Sequence, residues 1–391
     1  MSSSLTNTTK SVKRFLIYFA IFVVIIIVAD RIISQSTKPT GTTTDTINTD
    51  YPQPNKIFSQ IPLPVLKNLP IGNSKAKVSK DALNFPQFPP VVYVYKLKPE
   101  QENFNEANQA RTIAALLKLN SGETKTVNNV MYWETYEQDR QMSFDKVQRL
   151  WNYKVKYTNL SALITNNNQD LFINNGIGYL NSMDLNTNSY FNLDGSTCYF
   201  TYLDNQGNYS INGTANSVNS ARLILNKRIN LIIPVLQDLP TLTAPIQRDN
   251  YLDGIVNMTI TGTGKEIFTN MIYFNYKVHD YENTLGVYPI ISGLEAFDKI
   301  QNNQGYLYTL SEVGSDIFKT AVTPVISEFK ITVANTKLIY IESFNIDSQE
   351  PWTEYLQPFY LFKGQTTSVD NKTYDFSFIV PALKTTDYKT P

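Results

Sequence analysis

The feature that most constrains this chain is an unbroken apolar run close to its N-terminus. Every residue from Phe15 to Ala29 is apolar or aromatic, within the segment KRFLIYFAIFVVIIIVADRII that covers residues 13–33. With its flanking basic side chains reaching toward the headgroups, the run is about 20 residues long, enough for one bilayer crossing. We therefore predict a transmembrane anchor over residues 13–33. A core helix would need a polar face; a cleaved signal peptide is the alternative, since Ser34 and Ser36 form a small-x-small pair, although no Ala-x-Ala is present.

The charges around this run predict its orientation. Basic residues dominate before the run, whereas one acidic and one basic residue cancel after it. Because basic residues favour the cytoplasmic side, residues 1–12 are predicted to be a cytoplasmic tail. The bulk of the chain is then extracytoplasmic, in a single-pass protein of the inner or cytoplasmic membrane of a bacterium. The lipid bilayer is the first predicted partner, and the residues at the membrane flanks are Lys13, Arg14 and Arg31.

Composition excludes several classes of function. The 391 residues include 34 Lys and Arg and 34 Asp and Glu, and no basic block follows the anchor. Since phosphate binding needs a concentrated positive face, nucleic acid is not an expected partner. Cys198 and His279 are the only residues of their types, so an intrachain disulfide is impossible and metal chemistry lacks its commonest ligands. We expect no cofactor, no metal site and no catalytic residue.

The remaining sequence divides into a tether and two domains. Residues 34–84 are rich in Thr, Asn and Pro and are predicted to form a flexible tether. Within them, IFSQIPLPVLKNLPIG is more apolar and could lie extended against the domain surface. Residues 85–240 are assigned to a first α+β domain and residues 241–391 to a second, which begins after the Pro-containing run DLPTLTAP.

The first domain is predicted to mix strands with two helices. PPVVYVYKLKP is typical of a strand, and apolar residues spaced by three and four predict a helix from Phe104 to Leu119 with Asn103 as its cap. Aromatic runs with polar turns follow, including GYLNSMDLNTNSYFNLDGSTCYFTY, and their short spacing indicates antiparallel strands. A second helix is predicted around Ser217–Leu225.

The second domain contains the strongest helix signal in the chain. Ser292 and Glu295 form a Ser-x-x-Glu capping box ahead of an apolar stripe, and Gly305 follows the helix end. Three strands complete the chain, in EFKITVANTKLIYIESF, YLQPFYLFKG and YDFSFIVPALK. The predicted fold class is therefore α+β, with one N-terminal transmembrane helix and antiparallel sheets each packed with one or two helices.

Part of this pattern resembles a known group. The capped helix with Glu295, Ala296 and Phe297, followed by YLQPFYLFKG and YDFSFIVPALK, resembles the C-terminal domain of bacterial membrane-anchored proteins related to the YycH/YycI regulators. The resemblance covers roughly residues 288–383 and rests on structural motifs. It implies one membrane helix and extracytoplasmic α+β modules similar to PepSY domains, in proteins of which some restrain a sensor histidine kinase. It implies no catalytic residue.

One aromatic cluster is a candidate contact surface. In EPWTEYLQPFYLF, a loop before a strand could present Trp352 and Tyr355, and we take Trp352, Tyr355 and Phe359 as candidate partner contacts. The alternative is packing at the end of the strand.

Two polar stretches invite a chemical interpretation. DLNTNSYFNLDG spaces Asp184 and Asn186 as a calcium loop does, but it lacks the Gly and Glu of that pattern, and a hairpin turn explains the same residues. Asp280 and Glu282 stand beside His279, yet VHDYENTLG is interpreted as a solvated hairpin loop rather than an acid-base cluster.

The sequence favours a non-enzymatic role. We predict an extracytoplasmic binding or regulatory region that contacts a protein partner in the envelope, such as a sensor kinase, or the cell wall. One alternative is a cell-envelope hydrolase whose carboxylates lie far apart in sequence. Another is a structural or adhesive surface protein.

Overall fold

A computed structural model describes the chain from residue 50 onward. The described residues are 50–72, 76–99, 104–119, 125–137, 139–156, 164, 168–186, 191–204, 206, 208–210, 218–236, 239–262, 270–277, 279–315, 323–342 and 351–389. The predicted tail, the anchor with Lys13, Arg14 and Arg31, and the start of the predicted tether lie outside them. Within the described part, no helix is both long and apolar enough to cross a membrane.

Two sheets and three α-helices make up the described part of the chain. Sheet A contains β1 (Lys77–Lys80), β2 (Val91–Leu97), β10 (Arg228–Ile232), β11 (Leu242–Arg248), β14 (Tyr281–Pro289), β15 (Tyr306–Glu312), β16 (Glu328–Ile331), β17 (Lys337–Glu342), β18 (Tyr355–Thr367) and β19 (Thr373–Pro381). Sheet B contains β3 (Lys125–Val127), β4 (Val130–Glu134), β5 (Arg140–Asp145), β6 (Leu150–Val155), β7 (Thr197–Leu203), β8 (Tyr209–Ser210), β9 (Ser220–Leu225), β12 (Val256–Thr261) and β13 (Met271–Lys277). The helices are α1 (Phe104–Leu116), α2 (Gln169–Ser182) and α3 (Gly293–Gln301).

Most strand pairs are antiparallel, so the predicted α+β class with antiparallel sheets is confirmed. Sheet A runs β1-β16-β18-β17-β11-β10. Strands β2 and β19 also pair with β18, and they pair in turn with β14 and β15. Sheet B runs β3-β4-β5-β6-β13-β12-β9-β7-β8. Two neighbouring pairs of sheet A are parallel, β1 with β16 and β11 with β17. Such pairs need crossover connections, which here are long stretches of chain.

The strands are not divided between the sheets at residue 240, where the sequence predicts a domain boundary. Strands β2 and β10 precede that residue but belong to sheet A, whereas β12 and β13 follow it and belong to sheet B. The chain passes between the sheets after β2, β9, β11 and β13. A pattern of apolar residues indicates a strand but does not show which strand pairs with it. The predicted domain boundary at residue 240 therefore rested on the Pro-containing run alone and not on strand pairing.

Two of the three helices agree with the sequence. Helix α1 buries Ala107, Ala110 and Ala114 on its predicted apolar face, and Asn103 lies outside the described residues. Helix α3 carries the complete capping box: the Ser292 Oγ accepts from the Glu295 amide, and the Glu295 carboxylate accepts from the Ser292 amide at 2.7 Å.

Gly305 serves close packing rather than a left-handed turn. The residue after α3 with a positive φ is Asn303, at 58°. A Cβ on Gly305 would lie 2.9 Å from the Ile300 side chain, so the absence of a side chain lets the start of β15 pass close to the helix. This refines the predicted role of Gly305 as the residue that follows the helix end.

The middle of the chain corrects two predictions. Helix α2, capped by Asn168, includes residues 178–182, for which the sequence predicts a strand, and the predicted helix at Ser217–Leu225 contains strand β9. Both follow from packing. Strand β9 lies between β7 and β12, and Gly176 of α2 sits so close to the sheet that a Cβ there would come within 2.6 Å of Leu223.

The described part of the predicted tether belongs to the folded unit. We call residues 50–72 the strap. The Ile61 side chain is fully buried, its amide donates to the Asp387 carbonyl at 3.0 Å, and further along the Leu69 amide donates to the Leu307 carbonyl at 3.1 Å. The flexible tether predicted over 34–84 is therefore wrong for residues 50–72 and for β1, Lys77–Lys80, which pairs with β16. The extended docking suggested for IFSQIPLPVLKNLPIG agrees with the structure.

Replacing the buried strap residue tests this correction. We expect Ile61→Ala to lower the free energy of unfolding by about 2–5 kcal/mol, since it removes a fully buried side chain and leaves a cavity. Val65→Ala, in the same strap at 65% exposure, should change it by less than about 0.5 kcal/mol. Urea unfolding measures both, and equal effects of the two variants would show that the strap is not part of the cooperative unit.

Candidate functional site

One face of sheet A carries two rows of polar side chains. Alternate residues of a strand share a face, so Lys363 and Gln365 of β18 lie on the same side. The register pairs Lys363 with Ser377 and Gln365 with Asp375 of β19. Strand β15 extends both rows, because Thr309 pairs with Ser377 and Ser311 with Asp375. We call these the polar rows.

The same face is apolar at its other end. Phe359 and Leu361 precede Lys363 on β18 at the same alternation, and they form a buried cluster with Ile339, Ile379 and Tyr308. Leu66, Tyr251 and Tyr306 pack against this cluster. The face of β18, YLQPFYLFKGQTT, therefore changes from a buried apolar half to a polar half that lines a cavity.

Sheet B supplies the opposite wall. Thr197 and Tyr199 of β7, together with Tyr251 and Asp253 from the loop after β11, face the polar rows across a cavity of about 820 Å³. We call this cavity the groove. Its size is in the range of ligand-binding clefts, and it lies between two rigid sheets.

A glycine shapes the floor of the groove. Gly364 lies between the two polar residues of β18, and a Cβ there would collide with the Lys330 carbonyl oxygen and lie 2.7 Å from the Phe376 ring. Its lack of a side chain lets β16 approach β18, which brings Lys330 to the edge of the groove. The close approach of β16 therefore explains why a glycine stands between Lys363 and Gln365 in β18.

Hydrogen bonds hold the polar rows in place. The hydroxyls of Thr309 and Ser377 share a hydrogen bond of 2.6 Å, and the Gln365 amide donates to the Asp375 carboxylate at 2.9 Å. These groups keep further donors and acceptors, since a carboxylate accepts several bonds and an amide nitrogen donates two. The rows are therefore positioned before any ligand arrives.

The charges of the groove nearly balance. Lys330 and Lys363 stand against three carboxylates among the lining residues, those of Asp81, Asp253 and Asp375. All three carboxylates already accept hydrogen bonds, from the Val333 amide at 2.9 Å, from Asn250 at 2.6 Å and from Gln365. None of the described lining residues is His or Cys. The arrangement suits recognition of an uncharged polar molecule.

Tyrosines give the groove aromatic surface. Tyr251 and Tyr308 meet edge to face with ring centroids 6.2 Å apart. Burial, with a smaller effect of Tyr251, raises the pKa of Tyr199 to about 12, and burial also raises the pKa of Tyr251. These phenols stay neutral at physiological pH and keep their O–H groups as hydrogen-bond donors.

A buried ionic cluster supports the groove from behind. Fully buried Arg248 of β11 meets Glu342, its register partner on β17, with the Arg248 Nη1 2.8 Å from the Glu342 Oε2. His279 Nδ1 contacts the other oxygen of Glu342, and the Tyr281 hydroxyl donates to it at 3.1 Å. We call these four residues the junction cluster. The Tyr308 hydroxyl donates to the Arg248 carbonyl at 2.6 Å, which links the cluster to the groove wall.

The junction cluster corrects the interpretation of VHDYENTLG as a solvated loop. His279 is buried at 8% exposure, and strand β14 begins at Tyr281. Asp280 lies 2.7 Å from Arg149, which also pairs with Glu106 of α1. The correction applies at His279, because Asp280, Asn283 and Thr284 are exposed as predicted. The burial of His279 depends on Arg248 and Glu342, which are distant in sequence and so give no local signal.

The predicted partner contacts have different environments. Phe359 is fully buried in the apolar half of the groove face and so offers no surface to a partner, because its side chain packs within the cluster that also contains Ile339 and Ile379. Tyr355 is half-buried, with its ring 5.6 Å from that of Phe58 in the strap. Trp352 lies in the 3-10 helix Pro351–Glu354, and its side chain lies outside what the structure describes.

The sequence analysis did not predict the groove. Polar residues alternate in two adjacent strands, as Lys363 and Gln365 in β18 and as Asp375 and Ser377 in β19, and this alternation could have indicated it.

The other polar candidates are accounted for by packing. Asn186 donates to the Asn181 side chain at 2.8 Å and accepts from the Phe191 amide, and Asp184 follows helix α2 rather than a strand. Cys198 is buried, and burial raises its thiol pKa to about 12. Among the described residues, no group of three or more His, Cys, Asp or Glu side chains is placed to hold a metal ion.

Comparisons with known proteins add no relative. No protein-family model, no curated protein and no solved structure matches this chain. The site is therefore interpreted from its own geometry.

Acid unfolding tests the junction cluster. Burial by itself would raise the pKa of Glu342, but Arg248, His279 and Tyr281 outweigh it and lower that pKa to about 2. A depressed carboxyl pKa contributes stability above its unfolded value, near 4.5, and loses it as the pH falls toward 2. We expect about 3 kcal/mol of unfolding free energy to be lost across this window.

Glu342→Gln should remove that acid-dependent component and cost about 3–5 kcal/mol at neutral pH, because it leaves Arg248 buried without its carboxylate. Glu312→Gln, which breaks the more exposed pair with Lys372, should cost less than about 1 kcal/mol. Denaturant titrations from pH 7 to pH 2 measure both. An unchanged acid dependence in Glu342→Gln would contradict the assignment.

Proposed function

We propose that this chain is a non-catalytic binding protein of the bacterial cell envelope that holds an extended, uncharged, hydroxyl-rich ligand in the groove. A stretch of cell-wall glycan has this chemistry. The observation that carries the proposal is the pair of polar rows on sheet A facing the tyrosine-bearing wall of sheet B.

The chemistry of the lining supports a glycan over a charged ligand. Hydroxyl, amide and carboxylate groups can exchange hydrogen bonds with sugar hydroxyls, and the half-buried Tyr199 and Tyr251 offer apolar ring surface beside them. A polyanion would need a positive field, whereas two lysines are opposed here by three carboxylates. The open form of the groove suits a polymer that enters and leaves along its length.

The cellular setting comes from the sequence. We propose that residues 13–33 anchor the chain in the cell membrane and leave the groove outside, where envelope polymers are found. The regulation of a membrane partner, such as a sensor kinase, stays a prediction of the resemblance, and it is compatible with a groove that reports ligand occupancy. The hydrolase alternative would place two of the groove carboxylates in catalytic roles.

Titration with soluble envelope glycan fragments tests the proposal. We expect saturable binding by calorimetry, and about ten-fold weaker binding in Gln365→Ala, since one hydrogen bond to the ligand is lost. Thr367→Ala is the matched control: Thr367 is exposed on the same strand and does not line the groove, so its affinity should equal that of the wild type.

Four outcomes are distinguishable in this experiment. Absence of saturable binding would overturn the proposal, as would equal affinities of the two variants. Mass spectrometry of the glycan during the titration detects cleavage, and the appearance of shortened fragments would favour the hydrolase alternative over the binding protein. Binding without cleavage, weakened only by Gln365→Ala, supports the binding protein.

A further inference from the structure

A second surface feature lies at the end of β10, away from the groove residues. Large apolar side chains follow that strand in close succession and are exposed: Ile233 at 42%, Val235 at 60%, Leu236 at 44% and Leu239 at 38%. We call the described residues 233–236 and 239 the apolar loop. Single exposed apolar residues are ordinary on protein surfaces, whereas a cluster of this kind indicates a contact.

The apolar loop lies beside the first described residue of the chain. The Val235 amide donates to the Asp50 carbonyl at 2.9 Å, and Asp50 is the first described residue of the chain. The loop is thus fixed at the point where the preceding 49 residues join the folded unit. Residues 34–49, sixteen in all, separate that point from the predicted anchor at 13–33.

This connection is short enough to keep the loop close to the bilayer. Sixteen residues span at most about 55 Å when fully extended, and a flexible chain of that length has an end-to-end distance of about 22 Å. The local concentration of membrane surface around the loop is therefore high, which favours even a weak contact.

The intervening segment itself is a poor cover for the loop. Its sequence, SQSTKPTGTTTDTINT, contains a single large apolar residue, Ile47. Burial of four exposed apolar side chains requires an apolar surface of similar extent. The headgroup boundary of a bilayer, where apolar side chains enter about 5–10 Å deep, provides one.

We infer that the apolar loop inserts into the outer surface of the same membrane that holds the anchor, and so gives the folded unit a second membrane contact. The inference rests on the anchor of the proposed function but not on the ligand of the groove. Two contacts would set the orientation of the folded unit relative to the membrane, and with it the direction in which the groove opens.

Fluorescence of the full-length protein in phosphatidylcholine vesicles tests this inference. Leu236→Cys carries an environment-sensitive label, and Val369→Cys, at 66% exposure in the turn between β18 and β19, is the matched control. The wild type serves as the labelling blank, because its single thiol, Cys198, is buried. Val235→Cys repeats the measurement if Leu236→Cys folds poorly.

The expected result is a blue-shifted emission at position 236 that nitroxide-bearing lipid acyl chains quench several-fold more strongly than emission at position 369. Equal, water-like emission at both positions in vesicles that still carry the protein would overturn the inference and leave the anchor intact. A blue shift that vanishes when the protein is diluted at constant lipid would assign the loop to a second copy and also overturn it. Protein that does not float with vesicles would overturn the anchor, and the loop contact with it.

Discussion

The buried pairing of Arg248 with Glu342 is the interaction that ties together the segments crossing between the two sheets. It joins two parallel strands of sheet A at the place where the chain leaves β11 and β13 for the other sheet. Buried charges are costly unless they are paired and hydrogen-bonded. His279 and Tyr281 add partners to the Glu342 carboxylate from the segment entering β14, and the Arg248 Nη2 donates to the Lys277 carbonyl of β13 at 3.3 Å. The cluster therefore fixes three crossing segments at once.

The groove begins where the apolar part of its face ends. Leu66 and Tyr251 pack against the apolar cluster that contains Phe359 and Leu361, whereas Lys363 and Gln365, further along the same strand, line the groove. The same strand thus contributes both to the core and to the binding surface. Because the polar rows belong to paired strands and are hydrogen-bonded to one another, a ligand meets groups that need little reordering, which limits the entropic cost of binding.

We propose that the N-terminal part of the chain connects this architecture to the membrane. The strap binds along sheet A through backbone hydrogen bonds and the buried Ile61, so it is not free to extend. If the apolar loop also contacts lipid, the groove is presented in a defined direction to envelope polymers, as a binding module near the membrane requires.

The sequence by itself determined the elements whose signals are local. The capping box of Ser292 and Glu295 predicted α3, and β-rich runs predicted strands such as β2, β18 and β19, because caps and alternation act within a few residues. The tertiary structure decided what depends on distant partners: the pairing of β10 with sheet A, the strand at Ser220–Leu225, the burial of His279 and the groove itself. A side chain becomes buried, paired or exposed through the strand that lies beside it, and single-chain patterns do not encode that neighbour.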